Sequence, residues 1–448
     1  MDELTQHLQS TPNTMHLFIT TLGSRGDVQP YIALGRRAMD AGHRVTLCTC
    51  EKFKPMIVEQ GLEYGYMNNQ FMELMQTDLA HDLMENNNNI FDTIKSFIRM
   101  YKQVEPMQWA AIDDITKAAM SAKPDLILYH PKAFIGAHIA EKLSIPKAIG
   151  FLMPMMVPTS DHPEIGFPVL PLGGWYNRWT SRITRMIMTR SSRKYVKAWR
   201  KQQGLNPIPR GCDFLHDASG HPINYLLGYS QHVCPRPADW PDHVHVTGYW
   251  SLARKDDWQA PDDLCAFLDA GDPPVYVGFG SMSGRDPKRL TDIIIKAVKQ
   301  TNVRAVLAKG WGGLDASELP ACMFKIDQAP HDWLFPRCSV VIHHGGAGTT
   351  AAGLRAGKPT VVCSFSFDQP FWGKRVHALG VGSKPLRQKK LTVDQLVNAI
   401  HEVTNNPTIK QNAEHLGEQL RDEDGLSNAL QVIERLAINK PSQDDSAM

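Results

Sequence analysis

Ser339-Val-Val-Ile-His-His-Gly-Gly-Ala-Gly-Thr-Thr350 decides how this chain folds. Its apolar, β-branched start predicts a strand buried on both faces. Glycines follow the paired histidines, and Thr350–Ala356 predicts a helix. Strand, glycine loop and helix in succession make one step of a parallel α/β sheet. Small residues beyond a strand end let an anion approach the main chain, where free N–H groups and the positive end of a helix hold it. His344 adds an imidazole N–H, and Thr349 and Thr350 add hydroxyls. The loop lacks the Gly-Lys-Ser/Thr close of a Walker loop and is not the dinucleotide Gly-x-Gly-x-x-Gly. It reads as a diphosphate site; the plainer alternative is a turn whose glycines serve packing alone.

The neighbouring residues fit a sugar nucleotide. Pro359–Cys363 predicts the next strand, and Asp368-Gln369 follows it. An acid beside an amide offers acceptors and donors to adjacent hydroxyls, although an Asp that only caps a helix would look the same. Upstream, Pro274–Phe279 predicts a strand, Gly280–Gly284 a glycine loop and Pro287–Gln300 a helix, with Arg304–Ala308 and Phe324–Ile326 as further strands.

The chain opens with the same grammar. His16–Thr21 predicts a strand, Gly23–Gly26 a tight loop, Gln29–Gly42 a helix and Arg44–Thr49 a second strand. Asp125–Tyr129 and Pro146–Gly150 predict two more, around a helical stretch Ala133–Leu143. A mostly helical insertion covers Phe71–Ala122, broken by Asn86–Asn89, and a Pro- and Gly-rich insertion at Pro154–Gly174 leads into a basic, aromatic helix over Trp175–Gln203. The fold class is therefore α/β, with two Rossmann-like parallel-sheet domains facing each other across a cleft. The expected organisation is an N-terminal domain 14–245, a linker 246–263, a C-terminal domain 264–424, a helix 425–438 and a flexible tail 439–448. At roughly 150 residues per domain, 448 residues suit two large α/β units.

Composition removes several classes. Lys plus Arg is 48 against 46 for Asp plus Glu, a net charge of +2, which argues against a nucleic-acid coat. The eight cysteines form no Cys-x-x-Cys pair, which suits reduced thiols inside a cell. No metal cluster is expected, since no Asp-x-Asp triplet is of the kind that would hold a divalent ion on a nucleotide sugar. No run reaches the roughly 18 apolar residues of a membrane span, and the polar start has no signal-peptide core. The expectation is a cytoplasmic protein, at most peripheral to a membrane.

Taken together, Ala329–Pro336, His343–Thr350 and Asp368–Trp372 resemble the donor-binding signature of the sterol glucosyltransferases, within the UDP-glycosyltransferase superfamily of GT-B fold. Gly23–Pro30, Thr247–Trp250, Gly278–Met282 and Lys309–Gly313 extend the resemblance over about His16–Ile438. It implies a UDP-sugar donor, with UDP-glucose as co-substrate and no cofactor or metal. It implies that Gly280, Ser281, His344, Gly346, Ala347, Gly348 and Thr349 hold the diphosphate. Ser24 would approach it from the other domain, Arg25 would either face it across the cleft or simply face water, and His331, Trp333 and Leu334 would border the uracil through backbone groups. Asp368 and Gln369 would bind the sugar. Phe367 stands where the family often has glycine.

By the same resemblance Asp27 takes the proton of an acceptor hydroxyl, a role a carboxylate can fill. From the residues alone it is equally an N-cap for a helix starting near Val28. The acceptor is expected to be a hydrophobic alcohol, a sterol or else a terpenoid, hydroxy-lipid or polyketide. Met67, Met72, Met75, Met84, Met100, Met107, Met120, Met153, Met155, Met156, Met186 and Met188 enrich the first half, and flexible methionines suit an irregular apolar guest. Met153, Met155, His162 and Trp372 are the candidate acceptor contacts. Trp175, Tyr176 and Trp179 among Arg178, Arg182 and Arg185 suit transient contact with a membrane surface. Members of this family often carry lipid-binding modules ahead of the catalytic unit; none is expected here, so stable membrane docking is not expected. Two other classes fit the same signature, a non-catalytic sugar-nucleotide-binding protein and a nucleotide-sugar epimerase.

Overall fold

The computed structural model describes residues 14–75, 90–209, 211–254, 258–280, 286–308 and 319–438. The expected arm 1–13, the Asn86–Asn89 loop, Met84, Asp256-Asp257, Ser281, Lys309–Gly313 and the tail 439–448 lie outside the described residues. Two parallel sheets organise the rest. The first holds β1 (His16–Thr20), β2 (Arg44–Cys50), β3 (Glu63–Met67), β4 (Leu126–Tyr129), β5 (Lys147–Phe151), β6 (Asn224–Leu227) and β7 (Val244–Val246). Their order is β3-β2-β1-β4-β5-β6-β7. The second holds β8 (Val275–Gly278), β9 (Ala305–Ala308), β10 (Met323–Ile326), β11 (Val340–His343), β12 (Thr360–Ser364) and β13 (Leu386–Arg387). Its order is β10-β9-β8-β11-β12-β13.

The central strands β1, β4, β8, β11 and β12 are buried along their whole length. That burial is why they read as unbroken apolar runs. In each sheet the chain runs outward in one direction, then returns to the other side of the starting strand. The reversal falls between β1 and β4 in the first sheet and between β8 and β11 in the second. Ligands of open α/β sheets bind outside the carboxyl ends of strands at such reversals.

At the site, two helix starts differ from expectation. The first helix spans Arg25–Asp40, not Gln29–Gly42, and its N-cap is Ser24. Asp27 is thus the third helical residue and not the cap. The helix after β11 spans Ala347–Arg355, with Gly346 as N-cap, so the Ala-Gly-Thr-Thr part of the motif is the first helical turn and not loop. In both cases the residues that looked like loop have N-terminal chemistry, and small or polar residues there satisfy the open N–H groups.

The halves are tied together at several points. Arg375 donates through Nε and Nη2 to the Val233 carbonyl at 3.0 and 2.8 Å. The last helix, Gly425–Ile438, crosses back to the first half, where Arg37 Nη2 meets Ser427 Oγ at 2.9 Å and His43 Nε2 meets Glu434 Oε1 at 3.0 Å. Where it crosses, Gly248 (φ +101°) lies against Gly425, and a Cβ on Gly425 would fall 2.5 Å from the Gly248 carbonyl carbon. All eight cysteines are free thiols. Among the described residues no helix is long and apolar enough to cross a membrane, and no cluster suited to a metal ion occurs.

Candidate functional site

The first wall of the site forms where β1 and β4 end side by side, with Thr20 in register with Tyr129. Asp27 stands just past β1. Its Oδ2 accepts from the Ser24 N–H at 2.8 Å and from the Ser24 hydroxyl at 3.1 Å. Its Oδ1 lies 3.2 Å from Lys132 Nζ and 3.7 Å from His130 Nε2, both just past β4. His130 is buried, and its Nδ1 accepts from the Lys132 N–H at 3.0 Å, which assigns the ring proton to the Nε2 that faces Asp27. Burial, then the Lys132 charge, pulls the His130 pKa down to about 3, so the ring is neutral at physiological pH. Burial acts to raise the Asp27 pKa, but Lys132, His130 and the Ser24 N–H outweigh it and hold Asp27 below its ordinary value. The carboxylate is therefore ionised, partly exposed and held at both oxygens.

The opposite wall is built where β8 and β11 end. The His344 ring is held between two glycines. A Cβ on Gly280 would lie 3.0 Å from its Cε1, and one on Gly346 would lie 2.5 Å from its Nε2. His343 accepts the Gly345 N–H on Nδ1 at 2.9 Å. His343 Nε2 and His344 Nδ1 are buried without a protein partner. Burial holds both imidazoles neutral, His344 at about 4 and His343 well below its ordinary value. Beside them lie the first N–H groups of the helix Ala347–Arg355. Thr349 is partly exposed there, and a Cβ on Gly348 would meet no protein atom. The Thr350 hydroxyl, in contrast, bonds the Gly346 carbonyl at 2.9 Å and is used within the helix.

Asp368 and Gln369 follow β12. Asp368 caps the helix Gln369–Ala378 by position, yet its carboxylate makes no cap bond. Instead Oδ2 accepts from Trp372 Nε1 at 2.8 Å. Burial raises the Asp368 pKa, and the Asp27 charge adds to the rise, so the two carboxylates sense each other across the cleft. Gln369 is buried, and its Oε1 accepts the Phe365 N–H at 2.7 Å and the Ser366 N–H at 3.3 Å, which fixes the turn. Phe367, at the tip, has φ +57° and is 64% exposed. A bulky residue in that backbone region is costly, and such strain gathers at ligand sites.

The remaining wall borders both halves. His331 stacks on Phe335 with ring centroids 4.3 Å apart. Burial, then the Arg25 charge of the first half, lowers its pKa to about 4. Trp333 is partly exposed, with the Arg337 guanidinium 4.3 Å over its ring, whereas the Leu334 side chain is fully buried. Met153 and Met155 pack partly buried against the first core. His162 carries its proton on Nδ1, 3.1 Å from the Pro163 carbonyl, and its Nε2 is buried and unpartnered. Its ring lies 6.4 Å from Phe371 of the second half.

Comparisons with known proteins agree with this arrangement. Residues 17–159 match the glycosyltransferase family 28 N-terminal domain, and residues 295–428 match the erythromycin biosynthesis protein CIII-like C-terminal domain. Two sterol 3-beta-glucosyltransferases of Arabidopsis thaliana are each 36% identical to the chain. One aligns over 94% of this chain and 65% of its own length, the other over 96% and 69%. The chain belongs to the sterol 3-beta-glucosyltransferase family. A family member from Neosartorya fischeri is 35% identical over 94% of this chain, which spans only 29% of that longer relative. The fold is that of solved glycosyltransferases. That of kitacinnamycin superposes with a TM-score of 0.71 at 20% identity, covering 95% of this chain and all of its own. The calicheamicin enzyme CalG4 gives 0.68 at 16%, covering 95% and 99%.

Within this sterol glucosyltransferase family frame, several expectations need correction. Trp372 is not an acceptor contact. It is completely buried, and its indole N–H is spent on orienting Asp368. Gln369 has its carbonyl oxygen committed to its own loop, which leaves only its amide nitrogen for a ligand. The methionines do not form one lining: Met67, Met72 and Met156 are core residues, while Met186 is exposed. Sequence reading missed His130 and Lys132 altogether. The His130-Pro-Lys132 triplet after an apolar strand was the available signal, but nothing local links it to Asp27.

Proposed function

We propose that the chain transfers glucose from UDP-glucose, with inversion and without a metal ion, to a hydroxyl of a sterol or similar hydrophobic alcohol. The observation that carries this reading is the buried, unpartnered histidine nitrogens beside the helix N-terminus at Gly346–Thr349, together with an Asp27 carboxylate held at both oxygens at the end of the first sheet. In this scheme the nucleotide lies along His331 and Trp333, and its diphosphate meets Gly280, His344 and the N–H groups of the helix, with Ser24 and Arg25 opposite. Asp368 and the Gln369 amide hold the sugar. The acceptor enters past Met153, Met155 and His162. Its hydroxyl gives its proton to Asp27 Oδ1, and the oxygen attacks the anomeric carbon from the face opposite the diphosphate. The bond to the diphosphate breaks, its electron pair stays on the leaving phosphate oxygen, and backbone donors stabilise that charge. One displacement inverts the anomeric centre. An acceptor of this class partitions into lipid, so contact with a membrane surface from the cytoplasm belongs to the same reading.

The test is Asp27→Asn against wild type, with UDP-glucose and a mixed panel of sterol, terpenoid and polyketide alcohols analysed by mass spectrometry. Removal of the base should lower glucoside formation by roughly 10²–10⁴-fold with UDP affinity unchanged. Undiminished transfer by the variant would refute the role of Asp27. A wild-type protein that binds UDP yet glucosylates nothing in the panel would favour a binding protein, and donor turnover without acceptor would favour an epimerase.

A further inference from the structure

The helix Gly173–Gln202 carries nine Lys and Arg and no Asp or Glu, although the chain as a whole has a net charge of only +2. Its outward stripe is also not the polar face that a surface helix presents to water. Trp175, Trp179, Arg182, Met186, Arg190 and Arg193 recur at spacings of three and four and are all exposed. Trp175 is 70% exposed and Trp179 45%, with their rings stacked 6.1 Å apart. The loop leading into the helix adds Val169 and Leu172, also exposed. Large apolar side chains clustered on a surface mark an interaction site.

The cations separate into two sets. Arg178 bonds Asp239 at 3.0 Å, Arg185 bonds Asp213 at 3.0 Å and Arg200 bonds Glu141 at 2.5 Å, all inward. Arg182, Arg190 and Arg193 meet no carboxylate among the described residues, so their charge is available to an outside partner. The patch is also wired to the cleft mouth. Asn177 Nδ2 donates to the Ser160 carbonyl at 2.7 Å, and the Glu164 N–H donates to Thr180 Oγ1 at 2.9 Å. His162 lies between those two anchor points. The surface and the acceptor opening are therefore parts of one braced unit.

We propose that this stripe docks on an anionic phospholipid bilayer, with Trp175, Trp179, Val169 and Leu172 entering the interface and Arg182, Arg190 and Arg193 facing lipid phosphates. Tryptophan favours the membrane–water interface, and basic residues near an anionic surface are attracted to it. An uncharged apolar protein surface would satisfy the tryptophans but not the unpaired arginines. Docking then holds the His162 side of the cleft toward the lipid that dissolves the acceptor. This deepens the proposed function and rests on it only for that last step.

The test is co-sedimentation of the whole chain with vesicles of phosphatidylcholine alone or mixed with phosphatidylserine, alongside turnover of an acceptor dispersed in cyclodextrin. Wild type should bind the mixed vesicles, and salt should weaken binding. Trp175→Ala with Trp179→Ala should reduce binding at least tenfold, as should Arg182→Glu with Arg190→Glu. Turnover of the dispersed acceptor should not change. Failure of wild type to bind, or equal binding by either double variant, overturns the proposal. A dimer that the tryptophan variant dissociates, seen by light scattering, would assign the face to a second copy instead. Loss of turnover with dispersed acceptor in wild type would instead count against the proposed function, since vesicle binding does not depend on it.

Discussion

Asp27 has its acidity set by residues more than a hundred positions away. Lys132 and His130 hold it ionised, and that makes it a ready but weakened base, since a depressed pKa lowers proton affinity. Replacing Lys132 with Met removes the main opposing charge. Its loss should move the acid limb of the kcat/KM profile upward by about one pH unit, the usual scale for one nearby opposite charge. An unmoved limb would mean that the ion pair only anchors Lys132. The bond from Trp372 to Asp368 works in the same manner on the other wall, where a buried indole fixes one carboxylate oxygen and leaves the other for a ligand. Asp368 thus owes its orientation to a side chain buried away from the cleft.

The loop 153–164 and the helix Gly173–Gln202 are joined through a buried acid. Glu164 accepts the Met156 N–H at 3.0 Å and is 2% exposed. Burial raises its pKa from 4.5 to about 7, against weaker lowering by Ser181 and the Met156 N–H. The folded state therefore holds the proton more tightly than the unfolded state. Stability is greatest below the unfolded pKa and declines as pH rises toward and through about 7, where the buried group must ionise. Glu164→Gln keeps an acceptor for the Met156 N–H without a charge. Thermal unfolding between pH 5 and 9 should show the variant gaining on wild type as pH increases; parallel curves would mean that Glu164 stays solvated. The same element carries the exposed tryptophans, so loosening here should also weaken vesicle binding in alkaline buffer.

At the scale of the molecule, catalysis by this scheme needs the two walls at a fixed separation, and the close crossing of Gly248 and Gly425 is one of the contacts that hold it. Neither position has room for a side chain. Gly425→Val would place atoms inside the neighbouring backbone and push the last helix off Arg37 and His43. The second sheet, with its histidines and helix N-terminus, is built without that contact. UDP affinity should thus fall only about threefold while transfer falls by more than tenfold, since a displacement near 1 Å already costs about two orders in rate. Calorimetric titration with UDP beside a turnover assay separates the two, and equal losses would show that the crossing supports the whole fold.

Much of this was legible in the chain itself. Fully buried parallel strands need unbroken apolar runs, so β1, β8, β11 and β12 announced themselves, and the glycines after β11 announced a tight strand-to-helix turn. Helix starts were less legible: Ser24-Arg-Gly-Asp27 and Gly346-Ala-Gly-Thr349 look like loop, since capping residues and loop residues are the same types. Which residues meet across strand ends was not legible at all. His130 and Lys132 reach Asp27 only because β4 pairs with β1 in register, and Trp372 was misread as a lining because its letter does not tell which side of its helix faces the core. Local sequence fixed the strands, the turns and the chemistry at each strand end. The sheet order, a long-range pairing that no short window encodes, decided which of those ends share a cleft.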